Sequence, residues 1–67
     1  MTRDMIETAV REGVPFLVKM AEGNAYEVRS REQIMVGKAH IVIMDDKLLP
    51  HVLPLLTVTG LSYLDRS

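Results

Sequence analysis

The sequence contains no cysteine and no tryptophan. Without thiols there can be no disulfide framework and no thiolate zinc site, two of the usual supports of a very short chain. Aromatic residues are scarce as well, one Phe and two Tyr, so a core has to be assembled from aliphatic side chains and the five Met. Basic residues are scattered: the eight Lys and Arg stand at positions 3, 11, 19, 29, 31, 38, 47 and 66, against a formal net charge of -1. Nothing in that pattern makes the basic stripe that a phosphate backbone requires, which disfavours a sequence-independent nucleic-acid role. No apolar run approaches the roughly 18 residues of a membrane helix. The opening M-T-R-D-M-I-E-T carries acidic residues where a secretory leader has a basic region and an apolar run. The expectation is a cytoplasmic protein without a membrane partner.

What is present is apolar side chain in excess. Sixty-seven residues make one domain, 1–67, of which 48% are hydrophobic. A chain of that size buries only about 60% of the surface its unfolded form exposes. The inventory therefore exceeds what so thin an interior hides, and a surplus left on the surface usually marks an interface.

Thr2 to Glu12 reads as an amphipathic helix. Met5, Ile6, Ala9 and Val10 recur at helical spacing, with Arg3, Asp4, Glu7, Thr8 and Arg11 on the other face. Thr2 is the expected N-cap and Glu7–Arg11 the expected i,i+4 pair. Gly13 is the expected left-handed residue at the C-terminus, and Pro15 forbids continuation.

F-L-V-K-M-A-E-G-N-A-Y-E-V, residues 16–28, reads as a hairpin, and parity fixes its register. A three-residue loop Ala21-Glu22-Gly23 sets Phe16, Val18 and Met20 opposite Val28, Tyr26 and Asn24, so that the apolar residues share one face. Leu17, Lys19 and Glu27 then point outward. Gly23 is a turn residue in this reading; a phosphate-cradling glycine needs further glycines and a following helix.

S-R-E-Q, 30–33, has the form of a capping box opening one helical turn. A-H-I-V-I-M-D, 39–45, is the strongest strand and is apolar on both parities. The expectation places Val42 and Met44 on the core face. Ile41 and Ile43 are expected beneath the helix or a neighbouring chain. In L-L-P-H-V-L-P-L-L-T-V-T-G-L-S-Y-L, Pro50 and Pro54 preclude a long central strand. The segment resolves into a short edge strand near 49–53, a 3₁₀ corner at 54–56 and a last strand from 57 to 64, bent or bulged at Gly60.

The fold class expected is thus α+β, mainly β: an N-terminal helix followed by a small, strongly bent five-stranded antiparallel sheet. That order resembles the Sm-like and SH3-like barrels. M-A-E-G-N-A-Y, 20–26, resembles the first hairpin of Sm-like proteins and V-T-G-L-S-Y-L, 58–64, their final glycine-containing strand. Where Sm-like RNA binders place Asp and Asn in a loop and a basic residue before the last Gly, this chain has G-K-A-H and Thr59. No RNA-contact residue carries over.

A resemblance spanning nearly the whole chain is to short bacterial proteins of unknown function. It rests on Pro15-Phe16, Glu22-Gly23, Tyr26-Glu27-Val28 and Leu55-Leu56-Thr57-Val58-Thr59. It implies the fold and no activity.

Catalytic candidates reduce to His40, Asp45, Asp46 and His51. On one strand His40 and Asp45 fall on opposite faces, roughly 16 Å apart. A loop at 46–49 sets His51 opposite Met44, on the parity of His40 but about 13 Å along the sheet. Asp46 and His51 can approach, yet two ligands fall short of the three or four of a zinc site. Ser30 is used as a cap, and Ser62 has no His at a suggestive position. No catalytic residue, cofactor or metal is expected.

The expected function is a non-enzymatic interaction module. It would self-associate as a homodimer or small ring, or dock a protein, through an edge strand and the Leu-rich segment. The interface candidates are Leu48, Leu49, Val52 and Leu55, within 48–56. An Sm-like RNA-binding ring is the alternative.

Overall fold

The computed structural model describes residues 3–64. Among the described residues one helix, α1 (Arg3–Glu12), precedes six strands: β1 (Phe16–Met20), β2 (Ala25–Val28), β3 (Ile34–Val36), β4 (His40–Met44), β5 (Pro50–Pro54) and β6 (Val58–Tyr63). Single 3₁₀ turns at Arg31–Gln33 and Leu55–Thr57 make the corners before β3 and β6. The α+β, mainly β class holds. The strands form two three-stranded antiparallel sheets, in the orders β2-β1-β6 and β3-β4-β5, rather than one five-stranded sheet or a closed barrel. The additional strand is β3, a three-residue piece that sequence reading leaves as the approach to a turn.

α1 buries Ile6 and Ala9 and leaves Met5 exposed, so its apolar stripe is narrower than the expected four residues. Glu7 forms its ion pair with Arg3, one turn upstream, in place of the expected Arg11. Gly13 ends the helix at φ +72°, its N–H donating to the Val10 carbonyl at 3.2 Å. Thr2, the expected N-cap, lies outside the described residues.

The first hairpin has the expected register: Phe16 pairs with Val28, Leu17 with Glu27, Val18 with Tyr26 and Lys19 with Ala25. Gly23 sits at φ +102°. Phe16, Val18, Met20 and Val28 are buried, Tyr26 and Leu17 are half-buried, and Lys19 and Glu27 are exposed. β6 returns from the far end of the chain to β1's other side. There Lys19 pairs with Gly60 and Met20 with Val58, so Thr59 is the extra residue of a bulge.

β4 is inverted relative to expectation. Ile41 and Ile43 are fully buried in the same core as Ile6, Phe16, Val18 and Leu53, and Val42 and Met44 take the outer, half-buried face. β3 supplies the physical reason. Ile34 pairs with Ile43 and Val36 with Ile41, so the strand that puts Ile34 inside carries both isoleucines inside with it.

A polar strut ties the two sheets. The Gln33 side-chain oxygen accepts from the N–H of Arg29 at 2.6 Å and of Ser30 at 3.2 Å, the capping box anticipated at 30–33. Its amide nitrogen donates onward to the Met44 carbonyl, 3.1 Å away on β4. A single side chain thereby spans from the end of the first sheet to the middle strand of the second. Among the described residues no helix is long and apolar enough to cross a membrane.

Candidate functional site

The outer face of the second sheet is where the apolar surplus goes. Register sets Met35 beside Val42 and Val42 beside Val52, one row across all three strands. Met44 beside Pro50 and His40 beside Pro54 form the flanking rows. No carboxylate, ammonium or guanidinium interrupts these rows. Met35 is 71% exposed and Val52 63%, values that belong to surface rather than to core.

Beyond the end of this face the β4–β5 turn carries Leu48 and Leu49, both exposed; Leu49, opposite Asp45, has the parity of His51 and not that of Val52. Leu55, a sequence candidate for the same surface, is taken up by the core instead, and Leu56 is exposed beside it. The 3₁₀ turn is the cause. The Leu55 N–H donates to the Ala39 carbonyl at 2.9 Å, which draws that residue under the sheet and turns the next one out.

The turn is one residue shorter than the expected 46–49 loop. The Asp45 N–H donates to the Leu49 carbonyl at 3.1 Å and the Leu48 N–H to the Asp45 carbonyl at 3.0 Å, leaving Asp46, Lys47 and Leu48 as the loop. Leu48 adopts φ +64°, a left-handed conformation that a side chain with a Cβ disfavours. Asp45 holds it there: its Oδ1 accepts from the N–H groups of Lys47 and Leu49, both at 2.9 Å.

The shorter loop moves His51 to the other face. It stands opposite Ile43 rather than Met44, on the core side at the sheet's rim, whereas His40 stays exposed on the outer face. His51 meets Asp45, not Asp46, at 2.9 Å from Nε2 to Oδ2. The tilted ring of Tyr26 lies 5.1 Å from the imidazole, centroid to centroid. The bond to His51, then the N–H of Leu49 and, more weakly, that of Lys47 hold the Asp45 carboxyl below its ordinary pKa, with desolvation offsetting part of their effect. This pair braces the turn from below. Among the described residues no three His, Cys, Asp or Glu side chains converge as a metal site.

An open groove of about 500 Å³ runs along the free side of β2. Ala25, Tyr26 and Glu27 form one wall, Asp45 and Asp46 the other, and Ile43 and Gln33 also line it. Glu27 is ion-paired with Arg29 on the exposed face.

Of these features the sequence reading anticipates Leu48, Leu49 and Val52 as exposed residues. It misses Met35, whose I-M-V alternation is a legible but three-residue signal, and the Asp45–His51 pair, which depends on turn length. Compared with family models, curated proteins and solved structures, the chain matches none.

Proposed function

We propose that this protein is a small non-enzymatic interaction module that pairs with a second copy of itself through the outer face of β3-β4-β5 and the exposed Leu48 of the adjoining turn. The observation that carries the reading is the uncharged row Met35, Val42, Val52, contiguous across three strands and exposed at both ends. Such a face is costly to leave in water at about 25 cal/mol per Å². A 67-residue chain without disulfides has little other stability to draw on.

Face-to-face stacking suits this surface better than edge pairing. In the β4–β5 ladder the Asp45–Leu49 closure makes Ile43–His51 and Ile41–Leu53 the hydrogen-bonded pairs, so residues 50, 52 and 54 direct their backbone to the free edge. Two of those three are proline and offer no N–H. The edge is blunted while the face stays open, and a two-fold stack of two such faces is closed and self-complementary.

Light scattering over a wide concentration range tests the proposal. The expected mass is twice the 7.6 kDa of the chain. A monomer at every concentration rejects self-association.

A further inference from the structure

An unpaired strand edge lies on the first sheet, away from the apolar face. In the β1–β2 hairpin the Met20 N–H donates to the Asn24 carbonyl, so the hydrogen-bonded pairs that follow are Val18–Tyr26 and Phe16–Val28. Ala25 and Glu27 therefore direct their N–H and C=O groups away from β1, towards the open groove. The next outward N–H, that of Arg29, is already taken by Gln33, which ends the free edge at Glu27.

The other free edges are guarded. β5 carries two prolines, β6 a bulge at Thr59, and β3 is only three residues long. β2 has no proline and no bulge along its length. An unguarded edge beside a groove is the arrangement by which sheets accept an extended peptide as an additional strand.

We infer that β2 takes an extended segment of a partner protein as a fourth strand of the first sheet, and that the segment carries a Lys or Arg side chain facing Asp46. Charge selects that occupant. Glu27, Asp45 and Asp46 line the groove against the single guanidinium of Arg29, and Asp46 is exposed. β2 of a second copy is a poor occupant, because it brings a second Glu27 into a groove that is already acidic.

The test is a titration of the full chain into fluorescein-labelled Val-Lys-Val-Lys-Val-Lys, capped at both ends, with Val-Glu-Val-Glu-Val-Glu as the contrast. A saturable rise in anisotropy with the lysine peptide alone is expected, weakening as salt is added. Amide proton and nitrogen shifts are expected to centre on Ala25 and Glu27. Asp46→Lys, in an exposed turn, is expected to weaken binding about fivefold. Ala25→Pro removes an outward N–H without touching the bonds to β1, and is expected to weaken binding about tenfold.

Equal binding of both peptides, no saturation at millimolar protein, or shifts centred on β5 would overturn the inference. So would unaltered affinity in Asp46→Lys, a readout that stands even where Ala25→Pro fails to fold. A lower assembly mass in folded Ala25→Pro would instead make β2 a contact between copies and equally reject a peptide there.

Discussion

Leu48 occupies in the second hairpin the position that Gly23 occupies in the first. Each donates its N–H to the residue that opens its loop, Met20 or Asp45, at 3.0 Å, and each has positive φ, +102° for Gly23 and +64° for Leu48. The two turns share one construction, but only the first has the residue it favours. A Cβ at that φ costs about 1–2 kcal/mol.

Exchanging the residue types therefore has opposite effects. Gly23→Ala is expected to destabilise by about 1 kcal/mol, with open space around the new Cβ leaving backbone strain as the cause. Leu48→Gly is expected to stabilise by up to ~1 kcal/mol and to weaken self-association, because strain is relieved and an exposed leucine is lost together. Urea midpoints and light scattering read the two effects separately. Loss of stability in Leu48→Gly would show that the strain is not there.

Self-association through the outer face predicts a sharp contrast between positions. Val52→Asp or Met35→Asp is expected to give monomers, since an unpaired charge in a closed interface is strongly unfavourable. Glu7→Lys, on the exposed face of α1, gives up only a surface ion pair and is expected to leave the mass unchanged. If all three behave alike, the contact between copies lies elsewhere.

The inverted parity of β4 is testable by two neighbouring truncations. Ile41→Ala is expected to cost about 2–4 kcal/mol because it opens a cavity among fully buried side chains. Val42→Ala, on the half-buried face, is expected to cost under about 1 kcal/mol as a monomer. Denaturant unfolding at a concentration where the protein is monomeric compares them, and equal losses would contradict the assignment of faces.

Asp45 gives the turn a dependence on pH. Its carboxyl titrates below the ordinary range in the folded chain, first because of His51 and then because of the Leu49 and Lys47 N–H groups. Below about pH 4 the unfolded chain takes up that proton before the folded one does. The contribution is thus complete above that pH and lost as pH falls through the folded value. Asp45→Asn is expected to unfold at lower urea than the parent at pH 7, with the gap closing as the pH falls below about 4. A gap that stays constant would assign the whole effect to packing.

The hairpin at 16–28 is legible in the sequence because only one loop length puts Phe16, Val18, Tyr26 and Val28 on the same side. Ser30 and Gln33 are legible as a box for a similar reason: the relationship is local. β4 is not, since a strand apolar on both parities carries no information about which face is inside. Its neighbour Ile34 decides that, through a pairing nine residues away with Ile43. His51 is misplaced by one residue of loop length, because nothing about a leucine announces a left-handed turn. The second role of Gln33, reaching Met44, is likewise set by tertiary approach. The exposed row is half legible: Val52 stands out among prolines, whereas Met35 becomes surface only once β3 exists.

The first sheet draws β1 and β2 from one side of the sequence and β6 from beyond all of the second sheet, which is itself a local meander. Synthesis consequently delivers β3, β4 and β5 in a form able to pair as they emerge, while β1 waits with one neighbour until the chain has been made through β6. The central strand of the first sheet is the last to be completed. During that interval its unpaired side and the uncharged face of the meander are exposed together, so chaperone dependence and losses to aggregation should track the speed at which residues 58–63 arrive.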